Sequence, residues 1–588
     1  MHADRAQMSD GEKTFDLTEQ PWIPVLLTDG RESELSLREA FAQAGRIRRL
    51  AGDLPTQDFA LTRLLLAILH DALDGPGDSD DWADLWEDPD ALAPALPYLD
   101  KHRDRFDLLH PHAPFFQCAG LRTGKDEVFP LNRIVADVPN GNAFFTARFP
   151  GVERIGFAEA ARWVVHAHAY DTSGIKTGVE GDPRAKAGKA YPQGPSWAGN
   201  LGGVLAEGDT LRETLLLNLI AADQWKTKRP DLPAWRRPPA GPGAADDLAL
   251  RPAGPRDLYT WQSRRIRLHT DNEGVNGVVL TYGDPLAPRN KFDAEPMTGW
   301  RRSLAQEKKL GQSPVYLPRE MDPARAAWRG IGPLIAASAP DQGPAGEPAP
   351  ELRPGLVHWL ARLETERILP RGRLMRLRTF GAVYGTQQSV VDEITTDTVA
   401  FALIVLSERD SSLGRTAQDA AGDADLAVRA LGDLASDLAR AAGSESDAPR
   451  ASARDAGFGA LDGPYRLWLA GIRDGDDPAE LRALWQRQAR QTVARLGDEL
   501  VAQAGDVAWQ GRIVTGNKGE TWLNTSSADL WFRARLRRAL SLAVPDTAAE
   551  GSGPGPTSPQ ADSAGQADVE AAEAENLDTA PDPERAPA

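Results

Sequence analysis

The sequence predicts an α+β protein: a large mixed N-terminal domain, a C-terminal α-helical domain built as a four-helix bundle, and a disordered acidic tail. Three observations predict it. Strand-like alternation and helix-like periodicity interleave from Phe15 to about residue 390. From Val391 to about residue 545 the pattern reads helical. From Asp546 to Ala588 there are ten acidic residues, one basic residue and no aromatic one. The expected divisions are a flexible 1–14, a mixed domain over 15–390, a bundle over 391–545 and a tail over 546–588.

Taken in order, "FDLTEQPWIPVLL" (15–27) reads as a strand with a Pro-Trp turn. A helix over about 36–48 opens on a capping-box pattern, Ser36 with Glu39. "PTQDFALTRLLLAILHDAL" (55–73) is apolar almost all round behind a Thr56 cap, the pattern of a buried helix. Helical character continues to about Leu109, and "HPHAPFFQ" (110–117) breaks it. Short strands and a loop are expected over 118–160, then a helix at 157–170. "SGIKTGVEGDPRAKAGKAYPQGPSWAGNLGG" (173–203) is glycine-rich and cationic, and Thr210 with Glu213 opens the next helix. Residues 228–256 read as a Pro/Gly-rich surface excursion. "LYTWQSRRIRLHT" and "NGVVLTYGD" alternate like strands, 285–303 is a basic loop, and 336–351 is a flexible stretch. "RGRLMRLRTFGAVY" (371–384) alternates as a strand with Leu374, Leu377, Phe380 and Val383 as anchors. Helices are expected at 391–408, 415–442, 463–504 with a break near "DGDDP", and 526–544.

A chain of 588 residues with 41% apolar content and 16 tryptophans can bury large cores. It has no apolar run of the roughly 18 residues a membrane span needs, and its first residues lack an apolar signal region. The single cysteine, Cys118, excludes an intramolecular disulfide and a cysteine zinc cluster and fits a cytoplasmic setting. The formal net charge is −18, but the tail holds −9 of it, so a basic groove on the body is compatible with the sum.

Catalytic patterns are thin. His166 and His168 point to nearly opposite faces if helical and read as packed or capping residues. "HPH" at 110–112 reads as a structural turn. "PRAKAGKA" departs from a phosphate-binding loop at both ends, with Pro183 at the first glycine position and Ala190 where a magnesium-binding hydroxyl belongs. No cofactor or metal is expected, and the chain is not read as an enzyme. A metal- or nucleotide-dependent hydrolase and a protein-only helical scaffold are the competing classes. Three elements point elsewhere: glycine-exposed backbone with Lys176, Arg184, Lys186 and Lys189, a loop with Arg289, Lys291, Arg301 and Arg302, and the amide pair Gln387–Gln388 behind Gly385. Cations, amides and exposed backbone are what minor-groove reading of DNA uses.

Several segments, in order, resemble one family. "FDLTEQPWIPV", "HPHAPFFQ", "VVHAHAYDTSGIKTG" through "LGGVLAEGDTLRETLLLNL", "YTWQSRRIRL" and "YGTQQSVVDE" are similar to the large subunit (CasA) of Cascade, the type I-E CRISPR surveillance complex. The likeness covers about residues 15–543. It implies a non-catalytic subunit that senses the protospacer-adjacent motif (PAM) of double-stranded DNA with a glycine loop, a lysine finger and a glutamine wedge. Guide RNA pairing then reads the target. The implied partners are the target duplex, the guide RNA complex, other Cascade subunits including the small subunit, and a helicase–nuclease. By resemblance the wedge maps to Gln387, after Thr386, with Gln388 the offset alternative. The glycine loop maps to Tyr191–Gly199 with Gly194 as the contact, or to 173–178. The finger maps to Lys291. A further mobile loop maps to Thr146–Arg154, with Arg148 and Arg154 as cations. Some relatives carry a cysteine cluster ahead of the finger; this chain has none between Arg264 and Tyr282. The acidic tail has no counterpart in the resemblance.

Overall fold

A run of apolar side chains with no polar face has to be enclosed on all sides, and the Pro55–Leu73 helix is buried along nearly its whole length. The structure, a computed structural model, describes residues 13–136, 151–225, 229–335, 347–516 and 519–543. Contacts divide the chain into two units, Met1–Val544 and Pro545–Ala588; the second, with the expected tail, lies outside the described residues. The helix begins at Pro55 after Leu54, so Thr56 is not its cap. The Thr56 hydroxyl instead meets His166 Nε2 at 2.9 Å inside the core. Phe157–Tyr170 and Pro255–Tyr259 pack against this helix.

The first strands form an antiparallel sheet in the order Glu32–Leu35, Ile23–Leu27, Ile47–Leu50. Ser36 and Glu39 complete the capping box, at 3.2 and 2.9 Å. That helix is shorter than its pattern, Leu37–Ala42, because Ile47–Leu50 is taken up as the edge strand. The second box forms by half: Thr210 accepts from Glu213 N at 3.3 Å, while the Glu213 carboxylate takes Asp209 N. The expected Pro/Gly excursion is anchored rather than superficial, since Trp235 is buried against Phe106.

The expected strands Arg264–Thr270 and Val275–Tyr282 pair with each other. Leu374–Tyr384 is the centre of another sheet, with Gly203–Glu207 on one side and Val391–Ala402 on the other. Within it Met375, Leu377 and Phe380 are buried, whereas Leu374 is exposed and Val383 half-exposed. Val391–Ala402 corrects the expected helix at 391–408. Its Val, Ile and Thr residues are β-branched, stiff in a helix and favoured on a pleated edge. The hairpin therefore straddles the boundary drawn at residue 390. Arg466 fastens its second strand to the helices beyond, bonding Asp397 at 2.8 Å.

Past the hairpin, Ser412–Ala442 packs against Ala448–Gly471, Pro478–Ala502 and Thr525–Ala539. The second of these starts at Ala448, not 463; it passes through three glycines and Pro464, which hid it in the sequence. The break near "DGDDP" falls between Gly471 and Pro478, where Asp477 caps the next helix. Tyr465 and Trp485 bond the carbonyls of Ala417 and Ala420 at 2.7 Å each, pinning both helices to the first. A short helix, Asp506–Gln510, and the ribbon Arg512–Gly516/Gly519–Leu523 were not expected. Among the described residues no helix is long and apolar enough to cross a membrane.

Candidate nucleic-acid interface

The long hairpin ends in a turn at Gly385–Val390, closed by Gly385 N donating to Val390 O at 3.1 Å and Gln388 N to Gly385 O at 2.8 Å. Thr386, Gln387, Gln388 and Ser389 are all exposed. Gln387 and Gln388 both lie in the left-handed region, at φ of 57° and 55°. Gly385 does not: its φ is −72° and its backbone extended. A side chain there would meet only the Asp392 carboxylate, an exposed group that can swing aside. The unusual backbone thus sits on the glutamines themselves, and a fold needing only a turn would place Gly or Asn there.

The glycine-rich region abuts this tip. Ser173 N donates to Gln388 O at 2.7 Å, and Gly174, at φ of 94°, packs on Ser389. Of the two glycine-loop alternatives, 173–178 is the one joined directly to the tip. Gly194 is linked indirectly: its carbonyl accepts from Arg264 at 3.1 Å, and the same guanidinium holds the carbonyls of Asp171 and Thr172 at 3.0 Å each. Gly194 has a φ of 89° and open space where a side chain would point. Tyr384, at the hairpin's shoulder, bonds Tyr170 O at 2.8 Å and leaves room only for glycine at 199.

Lys291 lies in a separate loop. It is half-buried, and burial, reinforced by Arg289, pulls its ammonium below the ordinary lysine range. Phe292 beside it packs edge-on against Trp300 and Tyr316, in the sheet of Trp300–Arg302, Tyr316–Pro318 and Glu351–Leu352. Among the described residues Lys291 shares no hydrogen bond with the hairpin tip. One carboxylate joins this loop to the glycine region. Glu295, fully buried, takes both nitrogens of Arg63 at 3.0 and 2.8 Å, the Trp197 indole N–H at 2.7 Å and Met297 N at 3.0 Å. Nothing in "DAEPM" marks that acid as buried.

Arg148 lies outside the described residues; Arg154 is paired with Asp271 and Glu273. His166 and His168 are core residues, bonded to Thr56 and to the Phe116 carbonyl, and burial pushes each down to about 4. His110 accepts from the amides of His112 and Ala113, as a structural turn does. "PRAKAGKA" forms a tight β-hairpin with Arg184 tied to Asp182, and no helix follows it to receive a phosphate. Among the described residues no three His, Cys, Asp or Glu side chains group to hold a metal.

Residues 16–496 match the family model of CRISPR-associated protein Cse1. A curated relative from Thermus thermophilus, "CRISPR-associated protein CasA/Cse1", is 30% identical over 329 residues, 55% of this chain and 60% of that protein. The matched stretch is therefore less than two thirds of that relative's length. Among solved structures, Thermobifida fusca Cse1 is 58% identical with a TM-score of 0.84, covering 90% of this chain and 99% of that one. Cse1 from Acidimicrobium ferrooxidans is 31% identical with a TM-score of 0.74, covering 90% and 98%.

Proposed function

The chain belongs to the CRISPR-associated Cse1 family, and from that premise we propose that it is the non-catalytic, DNA-sensing large subunit of an RNA-guided Cascade complex. It works in the cytoplasm with guide RNA and the other subunits, including the small subunit. It reads the PAM in duplex DNA, starts strand separation, and brings in a helicase–nuclease, with the long C-terminal helices acting as one bundle. The observation that carries this reading is the hairpin tip: two exposed amides on left-handed backbone, whose main chain accepts a hydrogen bond from the glycine-rich segment at Ser173. An amide can displace a base and bond its edge without holding DNA by charge. The glycine backbone lets a groove approach closely, and Lys291 supplies one cation.

The test is assembly of the complex with and without this chain, followed by binding to duplexes with randomised PAM positions. PAM-dependent binding that requires the chain is expected; PAM-independent binding would overturn the reading. Within that complex, Lys291→Ala is expected to weaken binding about equally across sequences and to reduce the log–log salt slope by about 0.9. An unchanged slope would place the finger elsewhere.

A further inference from the structure

Beside the hairpin tip lies a cluster of cationic side chains around one buried carboxylate. Asp171, at the end of the Phe157–Tyr170 helix, accepts from Lys176 at 2.7 Å and also pairs with Arg264. All three side chains are nearly buried. Arg133 adds a third cation: it donates to Thr177 Oγ1 at 3.1 Å and lies 3.7 Å over the Phe129 ring, with no carboxylate bonded to it among the described residues. Two cations, Lys176 and Arg264, therefore share one carboxylate, while the charge that acts on Arg133 is that of Glu127. Burial pushes Lys176 down to about 8, opposed by Asp171 and reinforced by Arg264 and Arg133, and it holds Arg133 below the ordinary guanidinium range. A small cavity of about 50 Å³ opens beside Arg133, with Asn132, Asp171, Thr172 and Ser389 among its polar lining and Ile134 and Val391 among its apolar lining; Lys176 and Arg264 are not part of that lining and reach it only through Asp171. Two nearly buried cations on one carboxylate leave one positive charge over, and an anion that visits the cavity beside them offsets it.

We propose that Arg133, backed by Lys176 and Arg264, binds one phosphodiester group of the nucleic acid that the hairpin tip engages. The cavity suits the oxygens of a phosphate and is too small for a base. Its neighbour Ser389 follows Gln388 directly, so a held phosphate would fix the strand next to the glutamines. The identity of the ligand as nucleic acid rests on the DNA-sensing reading above.

Arg133→Gln and Lys176→Met test this in the full chain assembled with its partner subunits and guide RNA. Asp171 keeps Arg264 in the second variant, and thermal melting checks both. If Lys176→Met melts early, Arg133→Gln, which breaks no ion pair, stands as the test. Each variant is expected to weaken binding of a PAM-containing duplex roughly tenfold near physiological salt and to lower the salt slope by about 0.9. Methylphosphonate linkages, which carry no charge, are then placed one at a time in the target strand, the non-target strand and the guide RNA. One linkage should cost the unaltered complex as much as Arg133→Gln does and should cost Arg133→Gln nothing further; its strand names the source of the phosphate. PAM-dependent binding that neither variant weakens, or losses that add to Arg133→Gln at every linkage, would overturn the site alone. PAM-independent binding by the unaltered complex would instead overturn the sensing reading.

Discussion

Gln387→Gly is expected to leave the protein slightly more stable and to slow strand opening at least tenfold. A left-handed backbone costs an L-residue roughly 1–2 kcal/mol, and Gln387 holds it at φ 57°, ψ 20°. Glycine is free of that strain but loses roughly 0.5–1 kcal/mol more chain entropy on folding. The net gain is about 0.5–1 kcal/mol, a small rise in melting temperature. The amide proposed to displace a base is gone, and unstacking a base step costs a few kcal/mol, so losing even about 1.4 kcal/mol of assistance slows opening about tenfold. Gln387→Ala keeps the strained turn and removes the same amide: opening falls alike, with stability within about 0.5 kcal/mol of the parent. The readouts are thermal melting of the chain and base-analogue fluorescence in a PAM-containing duplex bound to the assembled complex. Opening at the parent rate by both variants would remove Gln387 from the wedge, and the matched Gln388 variants would show whether its neighbour fills that role. Strain held on exposed polar residues, where glycine would fold more easily, is the signature of a site kept for use.

That strain was invisible in the sequence, where Gly385 is the only residue of the turn whose type favours a left-handed backbone. Residue type indicates where a left-handed backbone is tolerated, not where it is imposed. The first hairpin strand was legible because Met375, Leu377 and Phe380 alternate with residues on the other face. Its partner was not, because Val391–Ala402 leads without a glycine or proline into helical sequence, and only pairing with Leu374–Tyr384 decides its state. The all-round apolar pattern located the Pro55–Leu73 helix, but no pattern showed that Arg63 on it points at a buried acid 232 residues away. Lys176 likewise read as one of four loop cations; only the fold seats it on Asp171 while tying Arg184 to Asp182. Local periodicity reports burial of a face. Long-range ion pairs, which position this site, leave no periodic trace.

Glu295→Ala should be the most damaging single change in the N-terminal core, destabilising it by about 3–5 kcal/mol. Four donors lose their acceptor together: two nitrogens of Arg63, the Trp197 indole and Met297 N. The Arg63 side chain is 4% exposed, so water cannot replace the carboxylate. The Tyr259 ring beneath the guanidinium, 4.3 Å away, returns only about 0.5–2 kcal/mol and is present in both proteins. Glu295→Gln keeps an oxygen for the neutral donors and should cost less. Arg63→Met with Glu295→Leu removes the orphaned charge and should recover part of the loss, leaving the Trp197 and Met297 donors unpaired. Urea unfolding of the parent, Arg63→Met, Glu295→Leu and their double variant, with cooperativity checked by two probes, gives the coupling energy. A loss below about 1 kcal/mol for Glu295→Ala would mean that the pair does not hold this core together. The consequence extends to the candidate interface. Glu295 N bonds the Lys291 carbonyl at 2.9 Å, and Trp197 opens the turn that follows Gly194. One buried carboxylate thus fixes the root of the cationic loop and the end of the glycine loop, so Glu295→Gln, if it folds, should blur PAM discrimination more than it weakens overall duplex affinity.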